Sequence, residues 1–116
     1  MAGSRIYETQ ESCPVARTLN VVGDRWTILV LRELSWGRKR YAALLKTLDG
    51  ISTNLLADRL KKLEDSGMIE QVQYSDHPPR FEYRLTEKGR AFVPVLKALR
   101  MYGEAWEPRR ADTQSN

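Results

Sequence analysis

The stretch 50-GISTNLLADRLKKLEDSG-67 decides the fold. Leu56, Leu60 and Leu63 recur at i, i+4 and i+7, which is one face of a helix. Ser52 stands where an N-cap belongs, and Gly67 where a helix stops. Asn54, Asp58, Lys61 and Lys62 then project from the opposite face, with Leu55 and Arg59 on its margins. A short capped helix with a leucine rib and a basic outer side must present that side to something.

The neighbouring segments define the unit that carries this helix. Upstream, 41-YAALLKTL-48 places Tyr41, Leu44, Leu45 and Leu48 on one helical face, and the turn DGIS joins it to the next helix. Earlier still, 25-RWTILVLREL-34 is apolar on nearly every side, as expected of a central helix. Asp24 can cap it, Gly37 stops it, and a first helix runs from Pro14 to about Val22 with Gly23 at its end. Downstream the period changes to two. In 68-MIEQVQY-74 and 81-FEYRL-85, Val72 and Tyr74, then Phe81, Tyr83 and Leu85, alternate with polar residues. They read as a hairpin whose connection, SDHPPR, is too long for a two-residue turn.

Thr86 can cap a last helix over 87–106. Its residues Phe92, Val95, Leu99, Tyr102 and Trp106 step by three and four and form an a/d-like seam. Pro94 should kink this helix or begin its regular part. Residues 1–12 read as a flexible arm and 107–116 as a disordered tail, leaving one domain over 13–106.

Two short helices joined by a glycine-containing turn, followed by a hairpin, make a winged helix-turn-helix. The expected class is α+β, mainly α, with a two- to three-stranded β-wing. The second helix of such a unit enters the DNA major groove. Small residues at its start, Ser52 and Thr53, let the backbone come close, where first-turn amides can meet a phosphate. Asn54 suits an adenine edge, and Arg59 a guanine edge or a phosphate. Lys61 and Lys62 suit phosphates. Asp58 should accept from a cytosine amine or pair with a neighbouring cation. Arg40 belongs to the basic run just before the first of the two helices. From Arg38 to Lys62 there are seven basic and two acidic residues, a local excess of five against a whole-chain charge of +4. The positive charge is therefore concentrated at the motif.

The remaining composition narrows the function classes. The one cysteine, Cys13, can make no intramolecular disulfide, which favours a reducing compartment. The first 12 residues hold no signal-like apolar core, and no window approaches the length of a membrane span. The expected location is cytoplasmic, without a membrane partner. The single histidine, His77, lies 64 positions from Cys13, and neither CxxC, HExxH nor a glycine-rich phosphate loop occurs. No metal site, cofactor or catalytic set is expected, so the chain is not expected to be an enzyme.

The chain resembles the HxlR-type winged-helix transcription regulators, relatives of the MarR group, from about Cys13 to Trp106. The pieces that carry the resemblance are CP at 13–14, VGDRW at 22–26, RY at 40–41, GIS at 50–52, LKKLEDSGMI at 60–69 and PPRFEYRLTEKG at 78–89. The resemblance implies a homodimer in which N- and C-terminal helices pack on those of the partner, on a near-palindromic double-stranded operator. Leu19, Phe92, Val95, Leu99, Tyr102 and Trp106 are the expected interface. It further implies a regulator, expected to be a repressor, with His77 or Arg80 of the wing beside the DNA. The family often has an arginine early in the first wing strand. This chain has Glu70-Gln71 there, so its wing should be less basic. Some members sense electrophiles or oxidants through a cysteine near the N-terminus, the place of Cys13. A small-ligand effector, held in a pocket between the first, second and last helices near Trp26, is the other expectation for the signal. A winged helix can also serve only as a protein-interaction module, which remains the alternative to DNA binding.

Overall fold

The computed structural model describes residues 12–109. The expected N-terminal arm therefore lies, except for Ser12, outside the described residues, as does the expected tail beyond residue 109. The elements are α1 (Pro14–Val22), α2 (Arg25–Leu34), α3 (Tyr41–Thr47), α4 (Thr53–Asp65), β1 (Ile69–Asp76), β2 (Pro79–Leu85), α5 (Glu87–Arg90) and α6 (Val93–Trp106).

Local sequence sets most boundaries. Pro14 opens α1, where its missing N–H is no loss. Gly23 ends α1 so tightly that a Cβ there would lie 2.4 Å from the Leu19 carbonyl oxygen. Asp24 caps α2 by accepting from the Thr27 amide at 3.1 Å. Ser52 caps α4 by accepting from the Leu55 amide at 3.1 Å. At the far end Gly67 takes φ +82°, and the amides of Gly67 and Met68 return to the carbonyls of Glu64 and Leu63. This paired closure satisfies carbonyls that would otherwise end the helix without partners.

The core gathers around α2, as its all-round apolarity requires. Val30 and Leu31 of α2 are fully buried with Leu44 of α3 and Leu56 of α4, while Leu60 and Leu63 are 1% exposed. Met68, Ile69, Leu85 and Phe92 close the cluster from the side of the hairpin and the last helices.

β1 and β2 form an antiparallel hairpin with Ile69 opposite Leu85 and Asp76 opposite Pro79. The connection is therefore His77-Pro78 alone, joined by a cis peptide bond, and not the longer loop expected from SDHPPR. A register shift between Gln73 and Ser75 bulges the first strand at Tyr74, which lets both strands continue to the tip. Pro79 is tolerated because it begins a strand at the sheet edge. Lys39 adds an isolated bridge to Tyr83, with N–H···O distances of 3.0 and 2.8 Å. The sheet itself has two strands, and the bridge ties the segment before α3 to β2.

The last helix is divided. Thr86 caps α5 by accepting from the Gly89 amide, residues 91–92 interrupt, and Pro94 sits in the first turn of α6. Pro94 thus begins the regular part. The interruption takes Phe92 out of the α6 seam and turns it into the core, where it is 8% exposed. The assignment of Phe92 to a subunit interface is corrected accordingly. In α6 itself no residue is buried.

Candidate nucleic-acid interface

The start of α4 is held from two sides. Its leucine rib sits on α2 in the core. The hydroxyl of Tyr41, first residue of α3, donates to the Thr53 carbonyl at 2.9 Å and fixes the turn between the two helices. Ser52, Thr53 and Asn54 are exposed at this end. Their position leaves first-turn amides facing outward, where a helix N-terminus favours an anion.

Along the same face Asn54, Asp58 and Lys62 follow at four-residue intervals, all exposed. Asp58 resolves its two expected roles in favour of cations, with Lys62 Nζ at 3.6 Å and Arg59 in direct contact. Lys61 reaches Asp65 at 3.1 Å. These lysine pairs are solvated and so hold the amines only weakly. Both lysines can swing to a phosphate.

Arg59, expected at a guanine edge or a phosphate, is held by protein carboxylates in the free chain. Its Nε donates to Asp24 Oδ2 at 2.8 Å and its side chain is only 20% exposed. A second nitrogen, Nη2, lies 3.4 Å from Asp24 Oδ1, and Nη1 donates to Asp58. Three of its donor nitrogens thus face protein carboxylates. The Arg59 guanidinium donates to Asp24 and holds that carboxyl below its ordinary range, with the Thr27 amide acting the same way. The sign follows: this pair stabilises the fold above the unfolded carboxyl pKa and is lost as pH falls through the lower folded value.

The hairpin and the residue before α3 add further exposed groups. Arg40 lies 4.5 Å from the Tyr74 ring centroid and 4.0 Å from the Glu82 carboxylate, yet its side chain remains 60% exposed. His77 and Arg80 are exposed at the tip. Glu70 meets Arg84 across the strands at 2.7 Å, so the acid found early in β1 is matched by a base.

The structure thus places Arg40, Ser52, Thr53, Asn54, Lys62, His77 and Arg80 on exposed surface, with Arg59 only partly exposed and paired to Asp24. Sequence reasoning missed Tyr41 as a positioning residue and saw Asp24 only as a cap. On another side, Leu19, Val95, Leu99, Tyr102 and Trp106 are all exposed, Trp106 by 71%. Cys13 is half-buried at the N-cap of α1 and its side chain makes no capping hydrogen bond. A groove of about 410 Å³ lies between α2 and α6, lined by Ile28, Leu29, Leu96 and Trp36, so Trp36 and not Trp26 faces it. Among the described residues no group of His, Cys, Asp and Glu could hold a metal ion, and no helix is long and apolar enough to cross a membrane.

Comparison with known proteins gives this geometry a context. The family model for HxlR-like helix-turn-helix proteins matches residues 21–111. The uncharacterised HTH-type transcriptional regulator sll1512 of Synechocystis is 43% identical over 100 residues, covering 86% of this chain and 74% of that one. A Porphyromonas gingivalis W83 protein placed in the MarR family superposes with a TM-score of 0.77 at 33% identity, covering 85% of this chain and 95% of that one. The redox regulator HypR in its oxidised form gives 0.77 at 31% identity, covering 84% and 100%.

Proposed function

Because the chain belongs to the HxlR-like helix-turn-helix family of transcription regulators, we propose that it acts as a cytoplasmic homodimeric repressor that binds a near-palindromic operator. Helix α4 lies in the major groove, and the wing tip with His77 and Arg80 follows the adjacent backbone. Members of this family are regulators and not enzymes, so the chemistry required is recognition alone.

The observation that carries the proposal is the outer edge of α4. Leu56, Leu60 and Leu63 are hidden while Ser52, Thr53, Asn54 and Lys62 stand in solvent. Asn54 is the base reader, because its amide can both accept from and donate to adenine. Ser52 and Thr53 admit the phosphate backbone, and Lys62 and Arg40 neutralise it.

Fluorescence anisotropy on a duplex selected by the protein from a random library separates these roles. Asn54→Ala is expected to lose about 1–3 kcal/mol of discrimination at one base position, the worth of a bidentate contact. Lys62→Ala is expected to weaken all sequences alike and lower the salt slope by about one. An Asn54→Ala variant that discriminates like wild type removes Asn54 from the interface. Absence of any salt-dependent duplex binding by wild type favours the protein-interaction module instead.

The same proposal makes Cys13 the responsive thiol, at the start of a helix whose Val15 and Leu19 are exposed. Diamide removes two hydrogens from two thiols, so a second sulfur must come from another copy of the chain or from a small thiol. Cys13→Ser is expected to keep operator affinity and to abolish its loss on diamide treatment. An unchanged diamide response in the serine variant refutes this role.

A further inference from the structure

The leucine rib of α4 fixes which face of the helix is turned inward, but apolar contacts are not directional and leave the fine setting of its roll to other groups. Directional restraint comes from the helix margin. There Arg59 reaches Asp24 over 35 positions of sequence, with Nε to Oδ2 at 2.8 Å and Nη2 to Oδ1 at 3.4 Å. Both oxygens of one carboxylate therefore meet one planar guanidinium, a geometry with angular preference. Asp24 is itself immobilised, because its Oδ2 also accepts from the Thr27 amide and lies 3.4 Å from the Thr27 hydroxyl. Thr27 is buried in α2. The backbone just before Asp24 is tied to α1, because the Gly23 amide donates to the Leu19 carbonyl at 2.8 Å.

The pair does not sit in packed core. An open groove lined by Leu19, Val21, Gly23, Asp24, Arg59 and Lys62 lies beside it, between the end of α1 and α4.

We infer that Asp24 and Arg59 are positioning residues, a strut that sets the roll of the recognition helix and thereby the sequence discrimination of the protein. The inference rests on the DNA-binding reading above. A roll of about 20° at a side-chain radius of roughly 5–6 Å carries the Asn54 amide about 2 Å around the helix. That displacement breaks a base-edge hydrogen bond, whose distance window is far narrower. It leaves flexible lysines able to reach phosphates. Loss of the strut therefore lowers discrimination more than it lowers non-specific affinity.

The test measures the affinity of each full-length variant for the selected operator and for a scrambled duplex of equal length, over a salt series. Asp24→Ser keeps a capping oxygen for α2 and removes the strut. Arg59→Met removes it from the other end, and Arg59→Lys keeps the charge without the fork. The expected result is an operator-to-scrambled ratio lower by about tenfold in Asp24→Ser and in Arg59→Met, the size of one lost base contact. The double variant is expected to lose no more than either single one, as partners in one interaction do. Arg59→Lys recovers part of the ratio. Scrambled-duplex affinity and its salt slope stay at wild-type values, which a general loss of structure would not allow. If Asp24→Ser discriminates like wild type while Arg59→Met does not, Arg59 contacts DNA directly and the strut is overturned. If Asp24→Ser fails to fold, the Arg59 pair of variants decides: equal ratios for Arg59→Met and wild type overturn the inference. A wild-type protein that cannot tell operator from scrambled duplex sinks the DNA-binding reading itself, and the strut with it.

Discussion

Replacing Leu60 by alanine is expected to lower the free energy of unfolding by about 3 kcal/mol, within the usual span for a buried leucine. Leu60 is the middle member of the rib, 1% exposed between Leu56 and Leu63. Truncation removes apolar area and leaves a void that α2, α3 and the hairpin cannot all close at once. Urea unfolding at fixed protein concentration measures the change, since any dimer makes stability concentration-dependent. The slope m should stay constant while the midpoint falls. Lys61→Ala, one position on and solvent-exposed, is expected to move the midpoint by less than about 0.5 kcal/mol. A Leu60→Ala protein as stable as wild type would mean that the rib does not seat the helix.

The second large effect concerns assembly. Leu19, Val95, Leu99, Tyr102 and Trp106 are exposed, and Leu99 is half exposed. Side chains of this size on neighbouring turns make an apolar surface that a lone soluble chain rarely keeps bare. Leu99→Glu puts a charge at the centre of the α6 seam without touching the core. It is expected to convert a dimer to a monomer by light scattering at micromolar concentration. Operator affinity should then fall by about 100-fold or more, because two linked half-site contacts become one. Circular dichroism should be unchanged. A wild-type monomer, or a Leu99→Glu dimer with full affinity, contradicts the assigned face.

Most of the fold was legible because its determinants are local. Asp24, Ser52 and Thr86 each cap the helix that follows, and each is visible within three residues of its acceptor or donor partner. Pro94 marked the true start of α6 for the same reason. The departures come from contacts that sequence spacing does not encode. Arg59 finds Asp24 across 35 positions, and no periodicity distinguishes an inward arginine from an outward one on a helix margin. The bulge at Tyr74 shifts register by one residue and so shortens the hairpin turn to His77-Pro78. Phe92 matched the seam by spacing alone, but the interruption before Val93 changed the direction of its side chain. The exposed face of α4 was legible from its leucines; the residues that hold that face in place, Tyr41 and Asp24, were not.

Hydroxyl-radical footprinting of the protein on its selected duplex reads, from the backbone sugars that are shielded, whether two copies set their α4 helices on successive turns of one operator. The account predicts two protected patches on one face of the DNA, related by a dyad and centred about one helical turn, some 10 base pairs, apart. Uniform protection that ignores sequence, or a single patch with no dyad mate, would contradict it.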